Sequence, residues 1–166
     1  MMQLDPRDLT LDIASLRTGS KTGSFEIDTA AVDWRIEDVT PETPGGTLDL
    51  DVNYTDRSII VRGRFRAGFA TVCARCLEKA VFEVTEEVFA AYSKDGGGDA
   101  DADVERLPRD GRSLPLLDAV REAVILSLPG KPLCREHCRG LCQVCGENLN
   151  VSRCGHEGAS DAGCVR

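Results

Sequence analysis

Cysteine placement constrains this chain more than any other feature: there are eight cysteines in 166 residues, six of them in the last 33. An even count in a small secreted chain would suggest disulfides. This chain opens MMQLDPRDLTLD, acidic within a few residues and with no apolar run. Such a start does not read as a secretory signal, so a reducing cytoplasm is expected and metal ligation is the first reading of the thiols.

Spacing sharpens that reading. Cys73-Ala74-Arg75-Cys76 can put two thiolates on one turn, with intervening N–H groups turned toward sulfur. Alone it is a weak signal, because redox proteins use the same spacing. The tail is more specific: Cys134, Cys138, Cys142-Gln143-Val144-Cys145-Gly146, then Cys154, His156 and Cys164. Cys-x-x-Cys-Gly is the usual zinc knuckle, with glycine easing the turn after the second ligand. Eight thiols fit two tetrahedral zinc ions, with a single ion as the alternative.

The preferred grouping is Cys73, Cys76, Cys134 and Cys138 in one site and Cys142, Cys145, Cys154 and Cys164 in the other, with His156 able to replace Cys164. The other grouping puts four of Cys134, Cys138, Cys142, Cys145 and Cys154 on one ion and leaves Cys73 and Cys76 as a free dithiol. His137 lies between ligands and reads as exposed. No ferredoxin spacing is present, although spacing alone does not separate zinc from iron.

The rest of the chain reads as an ordinary soluble domain, 42% hydrophobic and 29% charged. The apolar stretch Ala119–Leu128 is short and broken by Arg121 and Glu122, so no membrane span is expected. The net charge is −8, which argues against generic polyphosphate binding. That charge is uneven: residues 131–166 carry five basic against four acidic side chains, residues 1–130 fifteen against twenty-four.

Leu9, Leu11, Ile13 and Leu16 suggest an extended or briefly helical segment ending at Arg17-Thr18-Gly19-Ser20, and a short strand is expected near Ser24–Asp28. Pro41, Pro44, Gly45 and Gly46 should then break the chain. From Thr47 the period is two: Leu48, Leu50, Val52 and Tyr54 on one face, Asp49, Asp51 and Asn53 on the other. After Thr55-Asp56-Arg57-Ser58 the alternation resumes, Ile59, Val61, Phe65 and Phe69 opposing Arg62, Arg64 and Arg66. A third strand over 80–92 has Phe82, Val84, Val88 and Tyr92 inside, interrupted by Glu86. A mobile acidic loop is expected near 94–105, followed by a helix over roughly Leu116–Leu128 capped by Ser113 and stopped by Pro129-Gly130. No internal repeat of a folded unit is visible. The expectation is an α+β fold: a small antiparallel sheet that could close toward a barrel, one main helix and a C-terminal zinc-knuckle module. It divides into an α+β domain over 1–130 and a Cys-rich metal-binding tail over 131–166.

Several sharper functions compete with plainer readings. The Arg62/Arg64/Arg66 stripe invites RNA, but a hairpin centred on Asp56-Arg57 sets Asp51 opposite Arg62 and Asp49 opposite Arg64, which makes cross-strand pairing the simpler account. Thioredoxin-like chemistry wants its C-x-x-C at a helix N-terminus, whereas strands flank Cys73 and Cys76. With two histidines, both beside cysteines, hydrolytic catalysis has little to work with, and no enzyme is expected.

At these residues the chain resembles the YceD family, the large ribosomal RNA subunit accumulation proteins. The resemblance rests on Cys73-Ala-Arg-Cys76-Leu77 after a strand, a helix leading into Leu128-Pro129-Gly-Lys-Pro132-Leu133-Cys134, and Cys138-Arg-Gly140-Leu141-Cys142-Gln-Val-Cys145-Gly146-Glu-Asn148-Leu149-Asn150. It covers roughly residues 45–155. Gln143 departs from the proline common there, and the chain stops soon after Cys164. The resemblance implies a non-enzymatic factor for large-subunit rRNA accumulation or processing. Its partner would be the rRNA precursor, a ribosomal protein or both, with no small-molecule substrate. Arg75, Lys79, Lys131, Arg135 and Arg139 would form a contact patch if the first site assembles as grouped. A zinc-ribbon adaptor in transcription and a thiol redox sensor are the alternatives.

Overall fold

The computed structural model describes residues 2–14, 19–55, 57–95, 104–109 and 111–156. In chain order the elements are β1 (Gln3–Leu4), β2 (Thr10–Asp12), β3 (Gly19–Asp28), β4 (Thr40–Tyr54), β5 (Ser58–Val72), β6 (Lys79–Ser93), β7 (Val104–Arg106), β8 (Ser113–Pro115) and α1 (Leu117–Leu126). Five strands form one sheet in the order β3-β4-β5-β6-β7, antiparallel except for the β6/β7 pair, and β1-β2-β8 form a second small sheet.

Alternation in the sequence builds the large sheet. Leu48, Leu50 and Val52 of β4, Ile59, Val61, Phe65 and Phe69 of β5 and Val84, Val88 and Tyr92 of β6 are buried in one core. Val120, Ala123 and Val124 of α1 join it, together with Leu9, Leu11, Ile13 and Leu114. Glu86, the polar interruption on the inner face of β6, accepts a hydrogen bond from Ser127 Oγ at 3.2 Å, just beyond the helix. Trp34, in the loop before β4, stacks edge-on to Phe69 at 5.1 Å and donates its Nε1–H to Thr29 O at 2.8 Å.

The outer face carries the arginine stripe in the register the charges require: Asp51 opposite Arg62 and Asp49 opposite Arg64. The closest ion pairs are shifted from those partners, Arg66–Asp49 at 3.3 Å and Arg64–Glu87 at 3.8 Å. Ser20 and Ser24 hydroxyls donate to Asp51 and Asp49.

Four expectations need correction. The sheet does not close into a barrel. Its edges are β3 and the three-residue β7, and α1 with the small sheet covers the inner face instead. The prolines near 41–46 do not end the pattern. β4 runs through them because Pro41 faces Phe69 and Gly46 faces Ala67, so residues 42–45 bulge opposite Gly68 alone. The short strand near Ser24–Asp28 is ten residues long, Gly19–Asp28. Its Ser, Thr and Gly residues hide it, since backbone pairing with β4 rather than apolar alternation holds it there. Ser113 does not cap the helix. It pairs with Asp12 in β8, and α1 begins after Leu116 with no side-chain cap.

Leu11 lies within β2 and Leu9 and Ile13 flank that strand; all three are buried. Leu16, the start of the following turn, and most of the acidic 94–105 loop lie outside the described residues. Among the described residues no helix is long and apolar enough to cross a membrane.

Candidate metal centre

The β5–β6 hairpin ends in a tight turn, residues 73–78, and the segment leaving α1 returns to it. Ala74 N–H donates to Pro132 O at 2.8 Å, which sets Cys134 beside the turn. The thiol sulfurs of Cys73, Cys76, Cys134 and Cys138 then lie within 4.8 Å of one another. Cys73 and Cys138 sulfurs are 3.8 Å apart, and those of Cys76 and Cys134 are 3.5 Å apart. A tetrahedral zinc with bonds of about 2.3 Å requires sulfur separations of about 3.8 Å. The donor set and its spacing fit such an ion.

A second cluster follows. Cys142, Cys145, Cys154 and His156 also bring one ligand atom each within 4.8 Å of the others. Cys164 lies outside the described residues, and His137 is exposed.

The two C-x-x-C turns share one hydrogen-bond pattern. Cys73 N–H donates to Glu78 O and Cys142 N–H to Glu147 O, both at 2.8 Å. Leu77 N–H returns to Cys73 O at 3.0 Å, as Gly146 N–H does to Cys142 O at 2.9 Å. Arg75 N–H approaches Cys73 Sγ at 3.5 Å and Val144 N–H approaches Cys142 Sγ at 3.4 Å. The residue after each second cysteine is left-handed, Leu77 at φ 62° and Gly146 at φ 75°. The sequence carries this small repeat as Cys-x-x-Cys-x-Glu in both places, but the first copy lacks the glycine that marks a knuckle.

Their environments differ. Cys73, Cys76 and Cys138 are buried in a cluster with Ala80, packed by Leu133 and Leu141. Gly140, at φ 78°, permits a close crossing, because an added Cβ would sit 3.1 Å from Arg75 O. Leu141 N–H donates to that same carbonyl at 3.2 Å. In the second cluster only Cys142 is buried, while Cys145 and His156 are exposed and Cys154 is intermediate.

Asn150 is a site residue that spacing does not reveal. Its Nδ2 donates to Cys138 Sγ at 3.3 Å, and its Oδ1 accepts Arg139 N–H at 2.8 Å. An amide reaching sulfur across twelve residues has no spacing rule, although Asn150 closes the longest motif of the resemblance.

Crowding splits the thiols. Burial pulls Cys73 up, but N–H groups of Arg75, Cys134 and Cys76 outweigh it and lower the thiol to about 6. Cys76 is pushed up to about 12: the Glu78 N–H opposes this, while burial and the neighbouring thiols drive it. Cys138 is lowered despite burial, chiefly by the Asn150 amide. In the second cluster, N–H groups of Cys145 and Val144 lower Cys142 to about 6. Cys154 is raised, since its neighbouring thiols and burial overcome the favourable His156 N–H. Four thiols this close cannot all ionise without a compensating cation, and a divalent metal would supply that charge.

The five basic residues expected around the first cluster are all exposed. Arg75 Nη1 donates to Cys138 O at 2.8 Å, and Lys79 is paired with Glu42 at 2.6 Å.

A family model described as "Large ribosomal RNA subunit accumulation protein YceD" matches residues 61–162, which span both clusters. Uncharacterized proteins of Mycobacterium bovis and Mycobacterium tuberculosis are 34% identical over 156 residues, 89% of this chain and 73% of theirs. One from Mycobacterium leprae is 31% identical over 107 residues, 63% of this chain and 49% of its own. No solved structure matches.

Proposed function

The chain belongs to the YceD family of large ribosomal RNA subunit accumulation proteins, and on that premise we propose that it supports large-subunit rRNA by binding rather than by catalysis, as a cytoplasmic protein. The family description is of an accumulation factor, not of a catalyst. Two zinc ions complete the molecule in this reading. Cys73, Cys76, Cys134 and Cys138 hold the first, and Cys142, Cys145 and Cys154 hold the second with His156, Cys164 being the alternative fourth ligand. Bound zinc supplies a fixed tetrahedral cross-link and no reactive centre, because four protein ligands leave no open position.

The carrying observation is the largely buried four-sulfur cluster that joins the β5–β6 hairpin tip to the segment leaving α1. Such a junction presents Arg75, Lys79, Lys131, Arg135 and Arg139 from one rigid base toward an rRNA precursor or a ribosomal protein. The strongly acidic remainder of the chain opposes indiscriminate coating of RNA. Gradient sedimentation of lysates carrying the tagged chain tests the reading. The chain should travel with large-subunit precursors, and its depletion should lower large-subunit relative to small-subunit rRNA. Sedimentation with RNA polymerase, and an unchanged rRNA ratio, would favour the adaptor reading instead.

A further inference from the structure

We propose that the second cluster is an exchangeable metal site whose ion folds residues 142–147 and 151–156, while the first is a permanent fastening that keeps Asn148, Leu149 and Asn150. This deepens, and rests on, the two-metal reading above. Three observations carry it.

The first is access. A competing chelator must reach the ion or its ligand atoms, and the shell around a site controls that approach. Around the first cluster the shell is the tighter one: Cys73, Cys76 and Cys138 are buried and Cys134 is half-buried, Leu133 and Leu141 pack against them, and Asn150 covers the Cys138 sulfur. Around the second, Cys145 and His156 face solvent.

The second is the absence of an apolar anchor in the segment itself. Between 142 and 156 the only buried residue is Cys142, a ligand. The two valines there point outward, Val144 being 61% exposed and Val151 80% exposed. Half-buried Leu149 and Asn150 belong with the first cluster, through Leu149 N–H to Gly140 O at 3.0 Å and the Asn150 amide on Cys138 Sγ; apart from the ion, the stretches on either side are held by hydrogen bonds in short turns, such as Cys142 N–H to Glu147 O and Ser152 N–H to Asn148 O. A segment of this kind orders when its metal binds and loosens when it leaves.

The third is continuity. The same chain passes from Cys138 to Cys142 with three residues between them, and Leu141 N–H is pinned to Arg75 O. Loss of the second ion therefore releases these two stretches from a fixed root, without detaching Asn150 from the first cluster or the tail from the sheet. On release the ion passes to the competing chelator, and the freed thiolates and imidazole take up solvent protons according to pH.

The test uses the full zinc-loaded chain and a chromogenic chelator, with amide hydrogen exchange read in parallel. One equivalent of zinc should leave at least tenfold faster than the other. Protection should then fall at the Cys142, Gly146 and Ser152 amides and persist at Cys73, Leu77 and Leu141. Added zinc should restore it. Cys145→Ser should remove the fast equivalent and leave the slow one unchanged; a retained fast equivalent, or loss of the slow one instead, would overturn the assignment. Release of both ions in one phase, or lost protection at both sets of amides together, would also overturn it. A native mass with no zinc would overturn the two-metal reading itself, which distinguishes that failure from failure of the exchange proposal.

Discussion

Leu77 holds a left-handed backbone at φ 62° where the second knuckle has Gly146, and its side chain is 68% exposed. Leucine in that conformation costs about 1 kcal/mol. Leu77→Gly should therefore raise stability by up to about 1 kcal/mol in a urea titration of the zinc-loaded chain. A lowered midpoint would mean that the leucine side chain packs more than its exposure indicates. Asn150 makes the opposite case, a polar side chain whose value lies in one contact to sulfur. Asn150→Ala should weaken the first metal site about 10–100-fold, as loss of outer partners does at metal sites. Competition with a chelator of known affinity measures this. Neither residue's role is legible in the sequence, because backbone strain and a side-chain reach across the tail follow from the folded path rather than from local spacing.

Among the elements, alternation makes β5 and β6 readable, and a hairpin centred on Asp56-Arg57 gives the β4/β5 register, with Asp49 opposite Arg64 and Asp51 opposite Arg62. Alternation does not reveal β3, whose Gly19–Asp28 run has little apolar content, and it gives out at the prolines of β4 because a bulge leaves no periodic trace. The arginine stripe sits among Asp49, Asp51 and Glu87, a mixed-charge surface rather than a cationic one. Arg62→Gln should leave co-sedimentation with precursors intact and alter stability by about 1 kcal/mol or less; lost co-sedimentation with unchanged folding would return RNA binding to this face. Tyr92 ties the two sheets together, donating its hydroxyl to Pro115 O. Burial first, then Glu105 and Asp118, raises its pKa above the ordinary value. A raised tyrosine contributes stability that is complete below the unfolded pKa of about 10 and is lost as pH climbs through the folded value. Tyr92→Phe should thus be less stable at neutral pH and show a shallower alkaline decline above about pH 10, in urea midpoints taken from pH 7 to 11.

The whole molecule has one large apolar core that contains no cysteine among the described residues, and a small thiol-lined one beside it. Cysteine arithmetic makes the second readable, hydrophobic alternation the first. What neither conveys is how they join, since the Ala74–Pro132 and Leu141–Arg75 backbone bonds connect segments far apart in sequence. Cys73→Ser should remove one zinc from the native mass and lower the melting midpoint while leaving the strand signal in circular dichroism. An unchanged metal content and midpoint would refute the shared site.

The wide separation within the first cluster also bears on synthesis. Cys76 and Cys134 are 58 residues apart, so at about 5–20 residues per second the second leaves the ribosome about 3–12 s after the first. Throughout that interval the hairpin tip has two of its four ligands, enough to hold a dication loosely but not to retain it. With zinc held as proposed, the newborn chain would pair its strands first and capture the metal late, so a cell short of zinc would accumulate chains with a finished sheet and an unfastened tail.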